Sequence, residues 1–217
     1  MLRRGIDMRI YQVDIDYIKY LHQYDSRVQY NPDYSDLKNQ NRPYIGVLLN
    51  VNGNNYFAPL EHPRASHKTL KSNLHIYKIK GGKYGVVGLN NMIPVPQTAL
   101  LNFDINTNNN RNILIAQFIA CKNDWTNIQN RANQIYNKRV TAPNKFEKKM
   151  FCDFKFLEQK CSEYTQTKTQ EQTQVNNQTQ PQSLADKIKS AKQEAEKANQ
   201  ETANKNIQPK RNKGQEL

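Results

Sequence analysis

Over the first half of the chain, apolar residues fall in short runs closed by turn residues; over the second half they recur at three- and four-residue spacing. Arg9–Val13 reads as a first strand. Asp14 or Asp16 then caps a helix over Tyr17–Tyr24, whose apolar face is Tyr17, Ile18, Leu21 and Tyr24. Asp25–Pro43, rich in Asn, Asp, Tyr and Pro, reads as a long loop, and loops of that length are often functional. Tyr44–Val51 and Asn55–Leu60 are two strands around Asn52-Gly53-Asn54, and an Asn-Gly pair between apolar runs is the strongest short-range hairpin signal. Ile76–Ile79, Gly81-Gly82 and Tyr84–Leu89 give a second hairpin, and Leu100–Ile105 one more strand.

From Arg111 to about Tyr136 the pattern is helical, carried by Ile115, Phe118, Ile119, Trp125, Ile128, Ala132 and Ile135, and Phe146–Tyr164 reads as a last helix. Strands first and helices after, with one helix near the start, predict an α+β fold: a compact, strongly twisted, mostly antiparallel sheet with flanking helices and a flexible C-terminal tail. Past Tyr164 the chain turns to Thr, Gln and Asn and cannot bury enough apolar area to fold alone. Within that tail, residues 183–200 carry a narrow stripe of Leu184, Ile188, Ala191, Ala195 and Ala198, a helix marginal in water when isolated. The expected organisation is a short leader over residues 1–7, one domain over 8–164 and a low-complexity tail over 165–217.

Composition narrows the function. The chain has 217 residues and 36% hydrophobic content, and no apolar run approaches the roughly 20 residues needed to span a bilayer. Met1–Met8 has two arginines but no apolar stretch, so it is no secretory signal, and a cytoplasmic protein is expected. The net charge of +13 favours an anionic partner, nucleic acid before a membrane surface. Of that charge, +10 falls on residues 1–164 and +3 on residues 165–217, so it belongs mainly to the folded part. Twelve tyrosines offer stacking surface to unpaired bases, although many must be core or strand residues. Cys121, Cys152 and Cys161 are odd in number and lack metal or Cys-x-x-Cys spacing, which fits buried thiols in a reducing compartment.

The densest chemistry follows the first hairpin, where Glu61, His62, Arg64, Ser66, His67 and Lys68 fall within eight positions. Phosphodiester cleavage needs a base for the attacking hydroxyl, a cation for the phosphate and an acid for the leaving oxygen. These residue types supply all three. The plain alternative is a solvated polar loop after a strand.

The chain also resembles the ToxN/AbiQ family, the endoribonuclease toxins of type III toxin–antitoxin systems. The resemblance runs in order through Tyr11–Leu21, Asn41–Leu48, Tyr56–Leu60 with Pro63 and His67, Asn91–Pro94 and Cys152–Lys160, and covers about residues 8–164. It implies metal-independent cutting of single-stranded RNA, with no cofactor, by attack of the ribose 2′-hydroxyl. The products are a 2′,3′-cyclic phosphate and a 5′-hydroxyl. It further implies a repeated, structured RNA antitoxin that holds the toxin inactive in a closed protein–RNA assembly, in phage defence or plasmid maintenance.

The family's active-site pattern is a basic residue before the second strand, a Thr/Ser-Ser pair after Ala-Pro-Leu and a Lys two positions beyond. These positions fall here on Arg42, on Glu61-His62 and on Arg64. A hydroxyl pair is thus replaced by a carboxylate and an imidazole, and both lysines by arginines. Histidine titrates near neutrality and a carboxylate can serve as a base, while arginine offers a planar fork to phosphate oxygens. Glu61 or His62 is therefore expected to take the 2′-proton, Arg64 with Arg42 to stabilise the phosphorane, and His67 or His62 to protonate the leaving oxygen. Ser66 is a substitute for the lost hydroxyl. Tyr30 and Tyr34 are candidates for base stacking, and Lys38, Lys68 and Lys71 for phosphate contacts. A non-catalytic RNA-binding protein with a drifted site is the competing reading, and a scaffold whose tail carries the interactions is the third.

Overall fold

The computed structural model describes residues 8–71, 73–178, 188–189 and 191–197. The expected leader at 1–7 lies outside the described residues, as does most of the tail beyond 178. By contact density the chain divides into a unit ending at Lys168 and a second beginning at Thr169. In the second unit, residues 169–178, 188–189 and 191–197 are helical.

The first unit is an α+β fold around one antiparallel sheet, and its strands are β1 (Arg9–Val13), β2 (Tyr44–Val51), β3 (Asn54–Glu61), β4 (Ile76–Lys78), β5 (Val86–Gly88), β6 (Ile93–Pro94) and β7 (Leu100–Asn102). Their order is β4-β5-β3-β2-β1-β7, with β6 pairing separately to β3. The Asn-Gly signal is met as expected: Val51 pairs with Asn54 across a two-residue turn, and Asn52 and Gly53 both take positive φ, 51° and 80°, as the hairpin turn with matching twist requires. Farther from the turn the register shifts between Ile45 and Leu49, so that Leu49 faces Tyr56 but Ile45 faces Ala58. This is a bulge in β2. Gly46 sits in it under Phe57, where an added Cβ would overlap the aromatic ring.

Helix α1 (Ile15–Tyr24) starts at Asp14, whose carboxylate accepts from the Asp16 amide at 2.8 Å, an N-cap in the ordinary sense. Tyr17, Ile18 and Leu21 are its buried face, and the Tyr17 hydroxyl donates to the Pro94 carbonyl at 2.7 Å, tying α1 to β6.

The stretch expected as one long loop, 25–43, contains a short helix α2 (Asp36–Gln40) capped by Ser35. Side chains tie it down. Asn39 is buried and donates to the Asn31 carbonyl at 2.8 Å, while Gln40 accepts from the Ile15 amide at 2.8 Å and donates to the Val13 carbonyl at 2.9 Å.

After β3 come α3 (Ala65–Thr69) and the second hairpin; β4 and β5 pair from Ile76–Gly88 to Lys78–Val86. The helical stretch read as continuous from Arg111 breaks at Asp124 into α4 (Arg111–Asn123) and α5 (Trp125–Thr141). The last helical stretch likewise splits, into α6 (Lys145–Met150) and α7 (Phe154–Gln178), so the final helix runs past Tyr164. Asn144 and Glu147 form a reciprocal capping box at the start of α6.

The core joins sheet and helices through Tyr56, Phe57, Ile128, Ile135, Phe154 and Leu157, all fully buried. Glu158 is buried among them and accepts from the hydroxyls of Tyr56 at 2.9 Å and Tyr136 at 2.6 Å. Burial alone would favour its neutral form, but these hydrogen bonds and Lys155 hold its carboxyl below the usual range. All three cysteines are buried free thiols, and burial pushes the Cys121 thiol up to about 12. Among the described residues no helix is long and apolar enough to cross a membrane.

Candidate active site

Antiparallel pairing of β2 with β3 brings the start of one to the end of the other. Tyr44 faces Pro59, and the Leu60 amide donates to the Pro43 carbonyl at 2.8 Å, so Arg42, just ahead of β2, comes beside Glu61 at the end of β3. Residues 19 positions apart in sequence thereby line one groove of about 660 Å³ with Tyr30, Tyr34, Lys38, His62 and Arg64.

Each wall has a physical origin. Arg42 is half-buried and oriented by its Nη1, which donates to the Gln29 carbonyl at 2.7 Å. It lies close to Tyr44, whose phenol is pushed up to about 12 by burial against the opposing effect of Arg42. Lys38 on α2 places its Nζ 3.4 Å from the centre of the Tyr34 ring, and both side chains are exposed. A cation over a ring face is favourable, and at an exposed site the pair remains free to re-form on a ligand.

Glu61 ends β3 with its side chain 28% exposed, and its Oε2 lies 3.6 Å from His67 Nε2 and 3.9 Å from Arg64 Nη2. Both separations exceed hydrogen-bonding distance. The carboxylate is therefore flanked by two potential cations and tightly bound by neither. Arg64 is 69% exposed and stands in the groove, whereas the His67 side chain is only 7% exposed and its Nδ1 is buried without a hydrogen-bond partner. His62 is exposed and lines the groove directly.

Backbone contacts fix the segment that carries these groups. Lys78 Nζ donates to the carbonyls of Lys68 at 3.0 Å and Leu70 at 2.8 Å, at the end of α3 where carbonyls lack helical partners. Gly82 and Gly85, with φ of 91° and 89°, approach from the second hairpin so closely that an added Cβ would overlap the His67 carbonyl or the Glu61 carbonyl. The buried Gln117 of α4 donates its amide to the Glu61 carbonyl at 3.0 Å and to the Tyr84 carbonyl at 2.8 Å.

Of the residues singled out in the sequence, the groove gathers Tyr30, Tyr34, Lys38, Arg42, Glu61, His62 and Arg64. His67 joins it through Glu61. Ser66 and Lys68 on α3, and Lys71 beyond it, are exposed and are not among the groove's lining residues. Gln29, Asn41, Asn110 and the supporting Gln117 belong to the site and escaped the sequence reading. Gln117 lies with Leu114, Ala120 and Cys121 on the face that α4 buries, whereas the apolar positions expected for this helix are Ile115, Phe118 and Ile119, of which Ile119 is exposed.

Residues 9–163 match the family model described as toxin ToxN of the type III toxin–antitoxin system. The chain belongs to this family. Among its relatives, the endoribonuclease ToxN of Bacillus thuringiensis subsp. kurstaki is 31% identical over 72% of this chain and 84% of the relative. The solved structure of AbiQ, described as a lactococcal anti-phage endoribonuclease of a type III toxin–antitoxin system, superposes with a TM-score of 0.62 at 28% identity, covering 73% of this chain and 98% of that one. A family structure described by selective toxin inhibition by a non-coding RNA pseudoknot gives a TM-score of 0.59 at 31% identity, covering 73% and 98% of the two chains. The family-model match ends near the boundary of the first unit, and the described residues that line the groove all lie within it.

Proposed function

We propose that this protein is a metal-independent endoribonuclease toxin that cuts single-stranded RNA, restrained by a cognate RNA antitoxin and serving phage defence or plasmid maintenance. One observation carries the reading: the groove sets a carboxylate and an exposed imidazole among three cations and two tyrosines. A single strand can lay its phosphates on Lys38, Arg42 and Arg64 and its bases on Tyr30 and Tyr34.

In the proposed reaction Glu61 removes the proton of the ribose 2′-hydroxyl. The new O2′–P bond forms as the P–O5′ bond breaks, and His62 delivers a proton to the departing 5′-oxygen, leaving a 2′,3′-cyclic phosphate and a 5′-hydroxyl. Arg42 and Arg64 neutralise the charge that builds on the non-bridging oxygens. His67 faces the carboxylate from the buried side, which favours a role in holding Glu61 over direct contact with the leaving oxygen. The antitoxin uses the same groove, in a closed assembly in which protein and repeated RNA alternate.

The test is incubation of the purified protein and a His62→Ala variant with mixed-sequence single-stranded RNA in EDTA, followed by analysis of the fragment ends. Cyclic phosphate and 5′-hydroxyl ends, lost in the variant, are expected. Intact RNA held tightly by folded protein would overturn the catalytic reading in favour of RNA binding without cleavage.

A further inference from the structure

Beside the groove, and sharing Asn41, Pro43, His62 and Asn110 with it, lies a second hollow of about 330 Å³. Its other walls include Phe103, the loop residues Thr107, Asn108 and Asn109, and Ile113 and Gln117 of α4. The two spaces differ in charge. The groove holds Lys38, Arg42, Glu61 and Arg64, whereas among the described residues lining the hollow there is no Lys, Arg, Asp or Glu. A hollow walled by carboxamides and an aromatic ring, with no lysine or arginine, suits a neutral, planar, hydrogen-bonding group.

The hydrogen-bonding capacity is there. Asn108 Oδ1 accepts from the Asn110 amide at 2.8 Å, which shapes the loop, and the exposed side-chain amides of Asn109 and Asn110 have no hydrogen-bond partner among the described residues. The Gln117 amide nitrogen is committed to the carbonyls of Glu61 and Tyr84, which fixes its orientation and leaves Oε1 as an acceptor on the pocket wall. Phe103 is half-buried and gives one aromatic wall, and the His62 ring stands between hollow and groove. A carboxamide presents a donor and an acceptor side by side, the arrangement that reads the edge of a base.

We infer that this hollow receives one unstacked nucleobase next to the scissile phosphate and gives the protein its sequence preference. The inference rests on the single-stranded RNA reading of the groove. The strand's backbone follows the cations, and one base turns aside past His62 to meet Asn109, Asn110 and Gln117. The position of His62 then couples recognition to reaction, because the base must pass the proposed acid to be seated.

Uncleavable 2′-fluoro octamers of each of the four bases separate recognition from chemistry. At fixed salt, the wild-type protein is expected to bind its favoured homopolymer about tenfold tighter than the least favoured, the discrimination of one good amide–base pair. In Asn109→Ala/Asn110→Ala that ratio is expected to fall to within about twofold, consistent with loss of such a pair. Ile113→Trp, which adds bulk to the hollow and leaves its asparagines and Gln117 in the sequence, is expected to flatten the preference as well. Equal binding of all four by the wild type, or discrimination unchanged in both melting-competent variants, would overturn the inference. Cleavage of the matching all-ribose octamers is read separately: failure to cut with base preference intact sinks the nuclease reading alone.

Discussion

The buried side chain of Gln117 donates to the carbonyl oxygen of Glu61 at 3.0 Å, so that a helix some 50 positions downstream holds the backbone of the residue proposed as general base. Its second bond, to Tyr84 at 2.8 Å, draws the second hairpin to the same point. Replacing Gln117 by leucine keeps the bulk and strands two carbonyls. The expected loss is about 1 to 3 kcal/mol of stability, the penalty for buried polar groups left unpaired. RNA cleavage should fall further than the change in folded fraction explains, which a melting curve and single-turnover rates on one sample would establish.

The cations of the groove predict salt-sensitive RNA binding. Affinity for a single-stranded RNA, or for the antitoxin, should fall linearly on a logarithmic salt scale, and Arg42→Ala should reduce the slope by about 1. Binding isotherms at four or five salt concentrations measure this directly. A flat response would remove the charged groove from the account.

Acid should weaken the fold through His75. Its ring packs against Phe146 and Phe151, with centroids 5.4 and 5.7 Å away, and burial together with the charge of Arg131 lowers its pKa from the ordinary 6.5. The folded state thus binds fewer protons than the unfolded one between the two values. The stability contributed is complete above the unfolded pKa and is lost as pH falls through it toward the folded one. Thermal melting from pH 8 to about pH 5 should show a steeper decline for the wild type than for His75→Gln, and parallel curves would exclude His75 as a source.

Cleavage and RNA binding should survive removal of everything beyond Lys168. Among the described residues, the buried positions of α7 are Phe154, Leu157, Glu158 and Cys161, and those lining the groove all precede 111. Comparison of the shortened and full-length proteins in the same RNA assay decides whether the tail is accessory or carries the interactions itself.

Local chemistry made part of this architecture legible. The Asn52-Gly53 turn, the Asp14 cap and the Gly81-Gly82 hairpin each announce themselves within a few residues, and the α+β arrangement follows from their order. Helix α2 did not, because Asn39 and Gln40 are satisfied by Asn31, Val13 and Ile15, partners that the five residues of the helix cannot reveal by themselves. The break at Asp124 was hidden for a similar reason: Asp124 accepts from the Tyr77 hydroxyl at 2.7 Å, a contact across 47 positions. At the site, the side chains able to do chemistry were visible as residue types. Their division into an exposed His62 and a buried His67 depended on packing, and so did the roles of Gln117 and the Asn110 loop.

The bulge in β2 decides which residue stands across from Glu61. From the turn outward, Val51 faces Asn54 and Leu49 faces Tyr56; carried on without interruption, that spacing would set Tyr44 opposite Glu61. Beyond the bulge Tyr44 instead faces Pro59, and the same arithmetic sets Arg42 there. Two extra residues keep the alternation of faces and move the strand about 7 Å along its partner. The same residues paired without the bulge would still make a hairpin, but with a phenol where the guanidinium belongs.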